Sequence, residues 1–312
     1  MPATHDARPI GVFDSGLGGL TAVRELFRQL PGESIVYFGD TARLPYGGKS
    51  RDTVTRFALE IASFLVRQNV KCLLVACNTA SSHALDALQR RLEIPVVGVI
   101  DPAVEHAVGA SPHGRIGVIG TLGTVASGAY PHAIHRLAPG ASVISHACPL
   151  FVPLIEEGWL THPVLYAVAE EYLTELRNGH VESLILGCTH YPLIAPVVQE
   201  IMGPGVTLLD SGAEAARALA RLLQQRGQLA AGQPAHRFFL SDEPQSFRRV
   251  AQAFLGRELP PIAIVDQTDL PWFERALPAI ESDSGPGRTD PPRAAAPRRT
   301  RTPARRKSAA GS

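Results

Sequence analysis

The sequence predicts an α/β protein built from two similar, doubly wound halves with mainly parallel sheets. Three observations carry that expectation. Short apolar runs alternate with stretches of helical spacing along most of the chain, the pattern of parallel strands joined by crossover helices. The segment Gly11-Val12-Phe13-Asp14-Ser15-Gly16-Leu17-Gly18 is echoed by Gly117-Val118-Ile119-Gly120-Thr121-Leu122-Gly123. Two cysteines stand in matched contexts after these segments: Cys77, 63 residues past Asp14, and Cys188, 67 residues past Thr121.

Taken in order, Ile10–Phe13 reads as a buried strand, followed by a glycine-rich turn and a helix to about Leu30. Ile35–Phe38 is the second strand. From Thr53 to Gln68 the apolar residues Val54, Phe57, Ile61, Phe64 and Leu65 fall at helical spacing. Further strands are expected at Leu73–Ala76, Val96–Val99, Ile116–Ile119, Val143–Ser145, Leu184–Leu186 and Leu208–Leu209. Helices fill the gaps near 82–92, 124–137, 163–177, 193–202 and 213–227. The expected first lobe is 8–98 plus 211–270, with the chain returning to it at Asp210-Ser211-Gly212; the second is 99–210. Residues 281–312 lack aromatics, Val, Ile and Leu and carry eight basic residues against three acids. Such a segment cannot bury a core and is expected to be a disordered basic tail.

Composition excludes several classes. The net charge is +1, and with +5 in the tail the remainder is slightly acidic, so the body has no global attraction for nucleic acid. No apolar run approaches the roughly 18 residues of a membrane span. Residues 1–9 lack the apolar stretch of a secretory leader, so a cytoplasmic protein with reduced thiols is expected. Three lysines, Lys49, Lys71 and Lys307, leave few candidates for Schiff-base chemistry.

The chemistry-bearing motifs lie where strands give way to helices. In an open α/β sheet, ligands bind at the carboxyl ends of the strands. Asp14-Ser15-Gly16-Leu17-Gly18-Gly19 sits at such a point but lacks the spacing of a dinucleotide fingerprint, so a carboxylate or ammonium fits better than a pyrophosphate. Pro45-Tyr46-Gly47-Gly48 is a loop whose backbone at Tyr46 and Gly47 suits a polar ligand. Cys77-Asn78-Thr79 and Cys188-Thr189-His190 are the stronger signals. A thiol at a helix N-terminus has its thiolate stabilised and its pKa drawn below about 8.5. Neighbouring Asn, Thr and His side chains supply donors for a substrate. A single cysteine is more often core packing, which is the reading for Cys72 and Cys148; two in matched contexts point to a reactive pair. His190 stands two residues from Cys188, able to tune that thiol or donate a proton. Asp14 is the acidic counterpart on the other side. Glu156, at the edge of the apolar stretch from Cys148, is either a partner of Cys188 and His190 or a solvated helix-end carboxylate.

These motifs resemble the glutamate racemase family, within the wider aspartate/glutamate racemases. The resemblance rests on Phe13-Asp14-Ser15-Gly16-Leu17-Gly18-Gly19-Leu20-Thr21, Pro45-Tyr46-Gly47, Ala76-Cys77-Asn78-Thr79-Ala80, Cys148-Pro149 through Glu156, and Gly187-Cys188-Thr189-His190-Tyr191-Pro192, in family order. It covers about residues 10–215 and leaves the tail out. It implies two α/β lobes with the active site between them, Cys77 and Cys188 as the two catalytic acid/bases, and Asp14, Glu156 and His190 as their assistants. It further implies substrate binding by Asp14, Ser15, Tyr46, Gly47, Asn78, Thr79, Thr189 and His190, with no metal and no cofactor. The implied reaction interconverts L- and D-glutamate and supplies D-glutamate for peptidoglycan.

Rival readings are an aspartate racemase or related isomerase of the same superfamily, and a metal protein using Cys77, Cys188 and His190. Beyond the small-molecule substrate, the partners left to consider are a second copy in a homodimer and nucleic acid met by the basic tail; no membrane is expected.

Overall fold

The computed structural model describes residues 5–243, 247–268 and 271–274. The basic tail expected at 281–312 lies outside them.

Strand β1 (Ile10–Asp14) is followed by helix α1 (Leu20–Gln29), β2 (Ile35–Gly39), a 3-10 turn at Tyr46–Gly48, α2 (Arg51–Arg67), β3 (Cys72–Val75), α3 (Asn78–Arg91) and β4 (Val96–Gly98). Helix α4 (Ile100–Gly109) leads to β5 (Arg115–Gly120), α5 (Leu122–Ala126), α6 (Ala129–Leu137), β6 (Ser142–Ala147), α7 (Phe151–Glu156), α8 (Pro163–Asn178) and β7 (Ser183–Gly187). A 3-10 turn at Tyr191–Ile194, α9 (Ala195–Met202), β8 (Thr207–Asp210) and α10 (Ser211–Gln225) follow. The described chain closes with β9 (Arg237–Leu240), α11 (Phe247–Leu255), β10 (Ile262–Ile264) and a 3-10 turn at Trp272–Glu274.

Two wholly parallel sheets result. The first runs β10-β9-β2-β1-β3-β4 and the second β6-β5-β7-β8. The order β2-β1-β3-β4 is repeated by β6-β5-β7-β8, so β5 takes the place of β1 and β7 that of β3. Every residue of β1, β2, β3 and β7 is buried, as expected of parallel strands covered by helices on both faces. That explains their unbroken apolar runs. In each sheet the order reverses between the first and third strands, the crevice where open α/β sheets take their ligands.

Several local expectations are revised. The helix expected over 124–137 is two helices, because Gly128 adopts φ +66° and Thr121 caps α5 through its side chain. The helix expected from 193 begins at Ala195 after the 3-10 turn, with prolines at 192 and 196 shaping the entry. Helices α4, α7 and α11 and strands β9 and β10 went unread in the sequence. Lys71 is no Schiff-base candidate in reach of these strand ends: at the opposite end of β3 its buried Nζ lies 2.6 Å from Glu33 and donates to the carbonyls of Asp6 and Gln228.

Candidate active site

The carboxyl ends of β1, β3, β5 and β7 open onto one cavity of about 470 Å3, well within the range of small-ligand sites. Its walls include Ser15, Tyr46, Gly47, Cys77, Asn78, Thr79, Glu156, Cys188, Thr189 and His190. Cys77 follows β3 and Cys188 follows β7, the equivalent strand of the other sheet. Asp14 stands behind the wall, 1% exposed.

On the first flank, Cys77 is the N-cap of α3, its Sγ accepting from the Ala80 N–H at 3.4 Å. The thiol donates to Ser15 Oγ at 3.5 Å. A lowered pKa is expected at a helix start, but the Cys77 thiol is pushed up to about 12. Burial is the main cause and the Asp14 charge adds to it; the hydrogen bonds from Ser15 and Ala80 offset only part. Asp14 is itself raised by burial, while the charge of His190 and the N–H groups of residues 15, 16 and 19 pull it down. Its Oδ2 accepts from the Gly16 N–H at 2.9 Å and its Oδ1 from the Thr189 hydroxyl at 3.5 Å.

The second flank is built differently. Cys188 does not begin an α-helix; a turn and the 3-10 segment separate it from α9. An imidazole takes the helix's place. His190 Nδ1 lies 3.8 Å from Cys188 Sγ, and its Nε2 lies 3.0 Å from Glu156 Oε1. Burial disfavours the imidazolium, but the partnership with Cys188 and Glu156 prevails and raises His190 to about 10. The ring packs edge-on against Phe254 of α11 at 4.9 Å. Gly18 makes room for this arrangement: a Cβ there would press on the Thr189 hydroxyl and stand 2.5 Å from His190 Nδ1. Glu156 is thus the His190 partner rather than a solvated helix end, brought there by α7.

Between the flanks lie donors. The first-turn N–H groups of Asn78 and Thr79 have no partner within α3, and a helix N-terminus favours a carboxylate. Thr79 Oγ1 lies 2.9 Å from Thr121 Oγ1 and 3.2 Å from Thr124 Oγ1. The Tyr46 hydroxyl is committed to the buried Asp40 carboxylate, which leaves its ring and backbone to the cavity. Gly47 packs against Thr121 so closely that a Cβ would stand 2.9 Å from the Thr121 Cβ.

Sequence reasoning missed Leu44, Thr121, Leu122, Pro149, Val152 and Pro153, which also line the cavity. The echo between the Asp14 and Thr121 segments held the signal for Thr121, since both stand where equivalent strands end. Cys148 is buried and its thiol donates to the His146 carbonyl at 3.8 Å, although it also touches the cavity. Cys72 lies inside β3. Among the described residues, no three His, Cys, Asp or Glu side chains are grouped to hold a metal.

Comparison with known proteins meets this geometry. The curated glutamate racemase of Geobacter metallireducens is 52% identical over 255 residues, covering 81% of this chain and 94% of that protein. The crystal structure of a glutamate racemase isoform from Bacillus anthracis superposes with a TM-score of 0.81 at 42% identity, over 84% of this chain and 99% of the other. The glutamate racemase of Francisella tularensis, solved in complex with D-glutamate, gives a TM-score of 0.79 at 42% identity over 84% and 98% of the two chains. The model of the Asp/Glu/Hydantoin racemase family matches residues 10–219. With that match over two thirds of its length and two cysteines facing one cavity from equivalent strands, the chain belongs to the Asp/Glu/Hydantoin racemase family.

Proposed function

We propose that this chain is a cofactor-independent glutamate racemase in which Cys77 and Cys188 act as paired acid and base. The observation that carries the reading is the repeat β2-β1-β3-β4 and β6-β5-β7-β8, which sets one thiol after the third strand of each sheet on a shared cavity. The 52% identity to a curated glutamate racemase supports glutamate as substrate.

The reaction needs no net oxidation. One sulfur, as thiolate, takes the α-proton; the C–H bond breaks and its electron pair stays on the substrate. The opposite thiol delivers a proton to the other face, and the two sulfurs end in exchanged protonation states. The α-proton is a very weak acid, so fixed donors in a buried site must stabilise the developing charge. Asn78, Thr79 and Thr189 are placed to hold the substrate carboxylate. His190, cationic at neutral pH, exchanges a proton with Cys188, while Glu156 orients it. Asp14 and Ser15 assist Cys77 by different means: Ser15 accepts from the thiol, and the Asp14 charge favours its protonated form. In the cell the product would be D-glutamate for peptidoglycan, made in the cytoplasm.

The test is direct. The purified protein, without added cofactor and with or without a chelator, should racemise both enantiomers of glutamate by chiral chromatography, and aspartate far more slowly. A preference for aspartate, or no turnover of either acid, would overturn the assignment.

A further inference from the structure

We infer that Tyr130 and Ser211 are positioning residues that fix which way round the Asn78 amide is held, so that the site offers a donor and not an acceptor at that point. The inference rests on the racemase reading above and adds two residues to it. Asn78 lies on the cavity wall; Tyr130 and Ser211 are not among its lining residues. All three are at most 2% exposed.

The hydrogen bonds form a chain with one direction. The Tyr130 hydroxyl, from α6, donates to Asn78 Oδ1 at 2.6 Å. Asn78 Nδ2 donates to Ser211 Oγ at 3.1 Å, and Ser211 Oγ donates to the Leu186 carbonyl at 3.0 Å. A hydroxyl carries a single hydrogen. Ser211 spends its hydrogen on Leu186, so its oxygen can only accept from Asn78. Tyr130 must therefore face the amide oxygen. Turning the amide over would aim the Tyr130 hydrogen at an NH2 group and draw the Ser211 hydrogen away from Leu186. The second change leaves the buried Leu186 carbonyl without the Ser211 hydrogen, which burial penalises. Burial also pushes the Tyr130 hydroxyl upward, keeping it protonated and able to donate.

With Oδ1 held by Tyr130 and one Nδ2 hydrogen held by Ser211, the amide hydrogen left unengaged is the second on Nδ2. A donor there suits a substrate carboxylate. The chain also spans both sheets' helices: it ties the first turn of α3, beside Cys77, to α6 and to β7 two residues before Cys188. Binding of the carboxylate and spacing of the thiols thus share one buried device.

Tyr130→Phe keeps the ring and removes the hydrogen. We expect it to fold and to raise KM for both enantiomers about tenfold with a smaller change in kcat, as for loss of one charge-assisted hydrogen bond. Ser211→Ala should act in the same direction. The double variant with Asn78→Ala isolates the effect: once the amide is gone, Tyr130→Phe should add almost nothing. An unchanged KM in the folded Tyr130→Phe protein, or the same penalty with and without Asn78, would overturn the inference. A second readout is independent of turnover. Nitrogen-15 NMR should show a slowly exchanging Asn78 side-chain amide proton in the wild type that exchanges faster in Tyr130→Phe. Equal exchange in both would refute the lock, whereas absence of racemisation by the wild type would refute the functional reading instead.

Discussion

The two thiol flanks occupy equivalent places in the two sheets, yet they are equipped differently. Cys77 caps a fourteen-residue helix and has a hydroxyl and a buried carboxylate for neighbours. Cys188 has no helix start, and relies on an imidazole backed by Glu156. Topology alone would make the pair symmetric; the side chains around them make it directional. At neutral pH the first sulfur is protonated, since burial outweighs the hydrogen bonds at the helix start, while the second has a cation beside it. A racemase tolerates this asymmetry. Its two substrates are equal in energy, so kcat/KM must be the same in both directions, and differences between flanks can appear only in kcat and KM taken separately.

The strongest way to break the comparison is to remove either sulfur. Cys77→Ala and Cys188→Ala should each lower racemisation by about 1,000-fold or more, on the scale of general acid–base catalysis, with the folded circular dichroism spectrum retained. Substantial activity in either variant defeats the paired scheme. A one-thiol protein should still eliminate a leaving group from a suitable substrate analogue, each variant acting on the opposite enantiomer.

Next in size is Gly18→Ala. Its Cβ would displace Thr189 and His190, and misplacement of about 1 Å costs on the order of 100-fold. The loss should register in kcat/KM with Cys77 reactivity toward a thiol reagent little changed, because the clash is on the Cys188 side.

Glu156→Gln sharpens the contrast through pH. His190 is raised from 6.5 to about 10 in the folded protein. Its stabilising contribution is therefore full below about 6.5 and is lost as pH rises through about 10. Without the Glu156 charge, the folded value should move back toward 6.5, narrowing that window. Urea unfolding across this range should show a smaller pH dependence in the variant, and kcat should fall about tenfold. An unchanged pH dependence would mean that Glu156 does not support the imidazolium.

The smallest effect is expected from Ser15→Ala. Its hydroxyl oxygen accepts one long hydrogen bond from the Cys77 thiol, so a loss of about two- to fivefold in kcat is expected. A loss as large as that of Cys77→Ala would place Ser15 in the proton transfer itself.

Much of this was written in the chain. The apolar runs located all eight strands of the repeated cores, most sharply β1, β2, β3 and β7, where burial on both faces leaves few polar positions to blur the limits. The strand–glycine echo and the two matched cysteines announced the repeat, and the local motifs named most of the cavity wall. What sequence could not supply was set by contacts between distant segments. Strand order came from pairing across crossovers, and β9 was hidden because it is only four residues that make sense beside β2. Glu156 met His190 only because α7 carries it 34 residues back in sequence. The Cys77 pKa reversed its expected direction because a helix dipole is local whereas desolvation is imposed by the whole surrounding fold. Tyr130 and Ser211 reached Asn78 from 52 and 133 residues away. Spacing along a chain encodes local periodicity and local chemistry; charge, hydrogen-bond direction and the company a thiol keeps are fixed only when segments far apart are packed together and water is removed.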